Sequence, residues 1–238
     1  MIALVTGANK GLGRETARQL AGLGMTVLVG SRDQDRGASV AAALGSGARP
    51  VRLDVTDSAS LRAAADEVAW AYGRLDVLVN NAGISVMAPA GETDGATLRQ
   101  VLDVNVIGVA DTIRAFLPLL QRSAAPRIVN VSSTTASLTL TAAGTDFGGD
   151  AATRLAYSTS KAALNMLTVQ YANAFRRDPG LSRIRINAAT PGYVATDMNG
   201  HRGTRTVEEG ARIIVQLATL PADGPTGGFF NDQGTVPW

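Results

Sequence analysis

The sequence predicts an α/β fold, a mostly parallel, doubly wound sheet of seven strands with helices on both faces. Three observations predict it. Short apolar runs alternate with amphipathic helical stretches along nearly the whole chain, the pattern of repeated βαβ units. The first apolar run is broken by a glycine cluster that opens into a helix. No linker, low-complexity run or compositional shift divides the 238 residues, so residues 1–238 are read as one domain.

Ile2–Thr6 is a short apolar strand of the kind buried on both faces. Gly7-Ala8-Asn9-Lys10-Gly11-Leu12-Gly13 follows, then a helix from Arg14 to Leu23. Glycines let such a turn approach a pyrophosphate closely. The helix N-terminus adds free N–H groups and the positive end of a dipole. The plainer reading is an ordinary glycine-rich turn; the strand before it and the helix behind it favour a phosphate site. Thr26–Gly30 is the second strand, closed by Ser31-Arg32-Asp33. At this distance from the glycine turn an acidic residue would suit the ribose of NAD and an arginine the 2′-phosphate of NADP. Arg32 is placed for the phosphate, with Ser31 as a hydroxyl donor and Lys10 as a second charge. Asp33 dissents, and is expected to point away. The bland reading of Arg32 is a solvated loop charge.

A helix from Gln34 to Leu44 leads to a third strand, Pro50–Leu53, ending at Asp54-Val55. A carboxylate there can accept from an adenine amino group or cap the helix that runs to Tyr72. A fourth strand, Leu75–Asn80, runs into Asn81-Ala82-Gly83, where small residues let the main chain approach a ligand. One long helix is expected from Asp94 through Leu120. Asn105 in its middle has modest helix propensity, so it needs exposure or a polar role. Arg127–Val131 is the fifth strand and delivers Ser132-Ser133. Thr134–Leu155, polar and without periodicity, reads as a loop. A helix from Arg154 to Arg176 follows, then a sixth strand, Ile184–Ala188, ending in Pro191-Gly192-Tyr193-Val194-Ala195-Thr196-Asp197. Thr206-Val207-Glu208-Glu209 has the capping-box form for a last helix to Thr219. Gly227–Phe230 reads as a seventh, edge strand.

Bulk composition removes several functional classes. There are no cysteines, which excludes disulfides, thiolate catalysis and Cys-ligated zinc. A single histidine, His201, leaves no basis for a histidine metal cluster or a Ser-His-Asp triad, and no metal site is expected. The net charge of +2 comes without a dense basic run, so neither nucleic acid nor a membrane surface is an expected partner. The apolar N-terminal run is too short for a secretion signal, and a cytoplasmic protein is expected.

Tyr157-Ser158-Thr159-Ser160-Lys161 opens the last long helix. A tyrosine and a lysine four residues apart share one helix face, where an ammonium can lower the phenol's pKa. The pair alone is a weak signal.

Together these residues resemble the short-chain dehydrogenase/reductases, and the resemblance spans almost the whole chain. It rests on Thr6-Gly7-x-x-x-Gly11-x-Gly13, Asn80-Asn81-Ala82-Gly83, Asn105, the serine after the fifth strand, Tyr157-x-x-x-Lys161 and Pro191-Gly192. Within the family the chain is similar to the NADPH-dependent carbonyl reductases, in Gly-Ala-Asn-Lys-Gly, Ser-Arg-Asp and Pro-Gly-Tyr-Val-Ala-Thr-Asp-Met. The resemblance implies a Rossmann fold and reduction of a ketone or aldehyde by hydride transfer from NADPH, with NAD the less favoured cofactor. It implies Tyr157 as proton donor and Lys161 as the residue that lowers its pKa and bonds the nicotinamide ribose. Ser133 would orient the carbonyl, ahead of its neighbour Ser132. Asn105 would distort its helix and hold a water in a proton relay. Gly7, Asn9, Lys10, Gly11, Leu12 and Gly13 would surround phosphates and ribose. Ser31 and Arg32 would meet the 2′-phosphate, Asp54 and Val55 the adenine, and Asn81, Ala82 and Gly83 the ribose. Pro191, Gly192, Val194 and Thr196 would border the nicotinamide, the Val194 amide facing its carboxamide.

The chain departs from the family pattern at two places. Tyr157 lies 24 residues beyond Ser133, a wide gap whose extra loop is expected to border the substrate cleft. The ending Asn231-Asp232-Gln233-Gly234 lacks the family's frequent Asp-Gly-Gly. A homodimer is expected, with a tetramer as alternative, because Leu164, Met166, Leu167 and Val169 cover more than one helix face. Trp70, Tyr72, Phe116, Leu117, Leu119 and Leu120 are expected in the core or an interface. Met87, Met198 and His201 lie in segments flanking the cleft, His201 most simply as a solvated loop residue. Three alternatives stay open. One is a reductase of 3-oxoacyl esters. Another is an NAD-dependent secondary alcohol dehydrogenase. The third is a dinucleotide-sensing protein without chemistry.

Overall fold

The computed structural model describes residues 1–238. Its strands are β1 (Ile2–Thr6), β2 (Thr26–Ser31), β3 (Ala48–Arg52), β4 (Val77–Asn80), β5 (Arg127–Val131), β6 (Arg185–Ala189), β7 (Phe229–Asn231) and β8 (Gly234–Thr235). They form one sheet in the order β3-β2-β1-β4-β5-β6-β7-β8, parallel except for the β7–β8 pair. The order reverses between β1 and β4, so a crevice opens beyond the C-terminal ends of these strands, where α/β folds bind ligands.

Period-two alternation sorts the strand residues between two cores. Leu4, Leu28, Leu78 and Ile128 face one side with α3 (Ser58–Tyr72), α5 (Gly108–Gln121) and α7 (Leu155–Arg177). Ala3, Val5, Val27, Val29, Val77, Val79 and Val129 face the other, with α1 (Gly11–Gly22), α2 (Gln34–Leu44) and α8 (Val207–Ala218). The small Ala and Val side chains lie on the α1 side, where the glycine-rich turn brings its helix close to the sheet.

Several boundaries differ from the sequence reading for local reasons. The sheet has eight strands, not seven. The eighth is a two-residue return around Gly234 (φ +130°), too short to carry periodicity. Gly227, expected at the start of the seventh strand, is a turn residue (φ +78°) against Ala172. β3 begins two residues before Pro50 because it is an edge strand, where a missing N–H is tolerated. α1 starts at Gly11 rather than Arg14, which puts Leu12 and Gly13 in its first turn. The expected helix from Asp94 to Leu120 is interrupted: α4 (Gly95–Leu102) passes through a π turn at Asp103–Ile107 into α5. The expected loop after Ser133 contains 3₁₀ turns at Thr134–Ala136 and Ala151–Thr153 and the short helix α6 (Leu138–Ala142). α8 has the capping box, Thr206 and Glu209 exchanging hydrogen bonds with each other's main chain. Trp70 is 90% exposed and not a core residue; Phe116, Leu119 and Leu120 are buried. No helix is long and apolar enough to cross a membrane.

Candidate active site

Along the crevice, the glycine turn is built around space that side chains would fill. Gly7 and Gly11 have φ of +63° and +52°. A Cβ on Gly13 would stand 2.5 Å from Gly7 O and 2.4 Å from Asn81 Nδ2. Thr6 ties the turn to its neighbour: its hydroxyl accepts from the Asn81 and Ala82 N–H groups, both at 3.0 Å. Asn81 Nδ2 donates to Thr6 O at 2.8 Å. Lys10, the N-cap of α1, makes no side-chain cap and the first turn holds no acidic residue. The N–H groups of that turn are thus left for an external acceptor, a fit to a bound pyrophosphate.

At the end of β2, Asp33 caps α2 by accepting from Arg36 N at 3.1 Å, and Arg36 Nε pairs with it at 3.1 Å. It points back at its own helix, as expected. Arg32 is exposed and forms no salt bridge. Ser31 departs from expectation: it is buried and its hydroxyl donates to Asp33 O at 2.7 Å, so strand-end closure takes its proton. Asp57, not Asp54, caps α3. Burial pushes the Asp54 carboxyl up, but two hydrogen bonds from Thr56 and the Arg32 charge outweigh this and hold it below the usual carboxylate range. Val55 packs into the core against Gly108.

Asn105 is fully buried in the π turn. Its Oδ1 accepts from Ile84 N, and its Nδ2 donates to Ile84 O and Ser160 Oγ, each at 2.9 Å. Ser160 in turn donates to Tyr157 O at 2.7 Å. The mid-helix asparagine therefore has a polar role: it joins the turn after β4 to the helix carrying Tyr157. Ile84 and Ser160 were not singled out in the sequence, although Ser160 is one residue before Lys161 on the side that faces Asn105.

Ser132 and Ser133 separate by their hydrogen-bond partners. Ser132 is buried and donates to Asn165 of α7 at 2.7 Å. The Ser133 hydroxyl lies 3.0 Å from that of Thr135, beside Tyr157. Burial pushes the Tyr157 phenol up to about 12, with Ser133 working in the opposite direction. Burial also brings Lys161 down to about 8. The lysine Nζ donates to Val131 O at 2.8 Å and stands 5.7 Å from the centre of the Tyr157 ring. Desolvation is the leading influence on the phenol, opposed by the Ser133 hydrogen bond. Gly83 leaves bare space at the same point, since a Cβ there would lie 3.5 Å from Lys161 Nζ and 3.3 Å from Asn105 Oδ1.

Pro191-Gly192 follows β6. Gly192 (φ +77°) turns the chain against Arg205, where a Cβ would meet Cδ at 2.8 Å. Arg205 pairs with Asp232 and bonds the main chain on both sides of Val194. The Val194 N–H has no partner within the chain. Asn199 accepts from Thr196 N and donates to Val194 O, shaping the segment. Thr196 packs close to Gly11. Beside it Lys10 Nζ pairs with Asp197 at 2.8 Å, and His201 Nε2 reaches the same carboxylate at 3.0 Å. The Lys10 ammonium holds Asp197 below the usual carboxylate range, with His201 adding to it. This clasp across the crevice was not legible in the sequence. The extra loop reaches the same segment: added Cβ atoms on Gly148 and Gly149 would lie 3.2 and 3.5 Å from the Tyr193 ring and hydroxyl.

The chain belongs to the short-chain dehydrogenase family, whose model matches residues 1–206, and is an NAD(P)-dependent oxidoreductase. It is 38% identical to a short-chain dehydrogenase/reductase of Saponaria officinalis, over 99% of this chain and 95% of that protein. It is 32% identical to an NADPH carbonyl reductase of Bos taurus, over 100% and 98%. Among solved structures, the NADPH-bound carbonyl reductase from chicken fatty liver superposes with a TM-score of 0.86 at 30% identity, over 99% of this chain and 98% of that one. Salutaridine reductase from Papaver somniferum does so at 0.81 and 29%, over 97% and 99%.

Proposed function

We propose that this enzyme reduces a ketone or aldehyde to an alcohol with NADPH, with Tyr157 as proton donor and a small molecule as its substrate. The observation that carries the reading is the convergence of the Ser133 hydroxyl, the Tyr157 phenol and the Lys161 ammonium, while Ser132 and Asn105 are committed to the scaffold. When bound, the dinucleotide supplies a hydride to the carbonyl carbon. Ser133 donates to the carbonyl oxygen and orients it. At neutral pH the phenol holds its proton, as a donor must, and the nascent alkoxide is basic enough to take it. Lys161 is positioned to compensate the phenolate left behind, and is the side chain available for the ribose next to Gly83. The Asn105 side chain is committed to Ile84 and Ser160, so its share in a proton relay would run through its main chain. Gly7, Asn9, Gly11, Leu12 and Gly13 would hold the phosphates, Asp54 and Val55 the adenine, and Asn81, Ala82 and Gly83 the ribose. Pro191, Gly192, Val194 and Thr196 would hold the nicotinamide.

NADPH is favoured over NADH because Asp33 is committed to α2 while Arg32 is free. The test is NADPH and NADH oxidation across a panel of ketones and aldehydes, with binding followed in parallel. Oxidation with NADPH preferred is the expected result. Tight NADPH binding without oxidation of any carbonyl compound would reassign the chain to dinucleotide sensing.

A further inference from the structure

The stretch between Ser133 and Tyr157 is tied down by the opposite end of the chain. Trp238 stacks on Phe229 of β7, ring centroids 5.4 Å apart and planes inclined by 15°. Its main-chain oxygen accepts from the Thr139 N–H at 3.0 Å and from the Thr139 hydroxyl at 2.6 Å. Thr139 is the second residue of α6, and the next residue, Leu140, packs on the small core of Ala188, Phe229 and Val236. The connection continues inward. Thr141 Oγ1 donates to Thr135 O at 3.4 Å. The Thr135 N–H donates to Ser133 Oγ at 3.3 Å, and the two hydroxyls lie 3.0 Å apart.

A five-residue helix has no stability of its own. Leu138 at its start is 72% exposed, so α6 is held by the buried Ser137 cap, by Leu140 and by the tail. We propose that Trp238 is a positioning residue for the reaction: it clamps α6 and, through Thr141 and Thr135, fixes the Ser133 hydroxyl toward the substrate carbonyl. This rests on the role given above to Ser133. It requires no contact between Trp238 and substrate.

The test uses full-length Trp238→Ala and Trp238→Phe variants, with amide hydrogen exchange over residues 134–142, NADPH affinity, and kcat and KM for a carbonyl compound the wild type reduces. Trp238→Ala keeps the main-chain oxygen but removes the ring stack that anchors it, so it should speed exchange in that segment and lower kcat/KM about tenfold, the worth of one or two hydrogen bonds that loosen with the anchor. NADPH affinity should stay within about twofold, because the glycine turn lies elsewhere in the sheet. Trp238→Phe, which keeps a ring to stack on Phe229, should restore both. A merely structural tail would lower thermal stability and leave kcat/KM of the folded enzyme unchanged. Unchanged exchange, or faster exchange with kcat and KM within about twofold of wild type, overturns the proposal. If Trp238→Ala does not fold, Thr139→Val removes the hydroxyl donor and keeps the stack; it should shift exchange and kcat/KM the same way by about threefold, and no shift overturns the clamp. Exchange needs no substrate, so a wild type inactive on every carbonyl compound overturns the reduction, and the clamp is still judged by exchange.

Discussion

The two sides of the crevice are built on different physical terms. The side proposed to hold the cofactor, from Gly7 through Gly83, is made of main chain: positive-φ glycines, an uncapped helix start, and polar side chains such as Thr6 and Asn81 that bind backbone groups. The side proposed to face the substrate, comprising the 24-residue step to Tyr157, the segment after Gly192 and the tail, relies on side-chain contacts between distant parts of the chain. Gly148 and Gly149 lie on the Tyr193 ring, Asp197 pairs with Lys10, and Trp238 stacks on Phe229. Main-chain geometry demands particular residues at particular spacings and so writes a motif. Side-chain contacts are satisfied by many combinations and write none.

That contrast can be broken or sharpened experimentally. The largest effect is expected where the two sides meet. Tyr157→Phe removes the donor and should cut turnover by about 10³-fold while leaving NADPH affinity nearly intact; stopped-flow NADPH oxidation measures it, and a variant retaining most of its rate would dismiss Tyr157 as proton donor. Gly13→Ala places a Cβ 2.5 Å from Gly7 O, an overpacking that should weaken cofactor binding by about tenfold or more, in calorimetry, in a protein that still folds. Arg32→Ala should weaken NADPH by about tenfold and spare NADH, since only the 2′-phosphate bond is lost; equal losses with both cofactors would remove the 2′-phosphate argument.

A pH effect follows from the buried Lys161 and the half-buried Tyr157. The folded chain releases the Lys161 proton at about 8, while the unfolded chain keeps it to the ordinary 10.5. Between these values the unfolded state binds more protons, so the lysine makes stability rise with pH. Tyr157 acts oppositely and later: the fold keeps its proton to about 12 rather than 10, so stability falls with pH over that window. Urea midpoints of wild type and Lys161→Met, compared from pH 7 to 10, should therefore show the wild type gaining on the variant above about pH 8. A constant difference would place the lysine outside the buried site. The smallest effect is expected at the clasp. Asp197→Asn leaves Lys10 unpaired and should change the NADPH dissociation rate by about two- to fivefold, and less at high salt, as for an exposed ion pair.

Legibility in the sequence follows the same division. Asn105 was readable as a residue needing a reason, because a buried asparagine in a helix is locally unfavourable; its partners Ile84 and Ser160 were not, because ordinary residues serve. Asp33 could be expected to turn away, and does so as a helix cap. Ser31 looked like a donor to a phosphate, but its proton goes to Asp33 O in its own turn. Trp70 looked like core by its type, but an isolated aromatic on a helix carries no signal of which face the sheet covers.

By itself the sequence determined the alternation of strands and helices and the glycine turn, because backbone sterics and local propensity act between residues near in the chain; Asn105, Ser133, Tyr157 and Lys161 were pointed to by the family resemblance and stand as the proposed site. The tertiary structure alone decided the strand order, the π turn, the raised Tyr157 phenol and the lowered Lys161. It also decided how the extra loop and tail close on the site. Burial and long-range hydrogen bonds depend on which segments meet, and no local spacing records that.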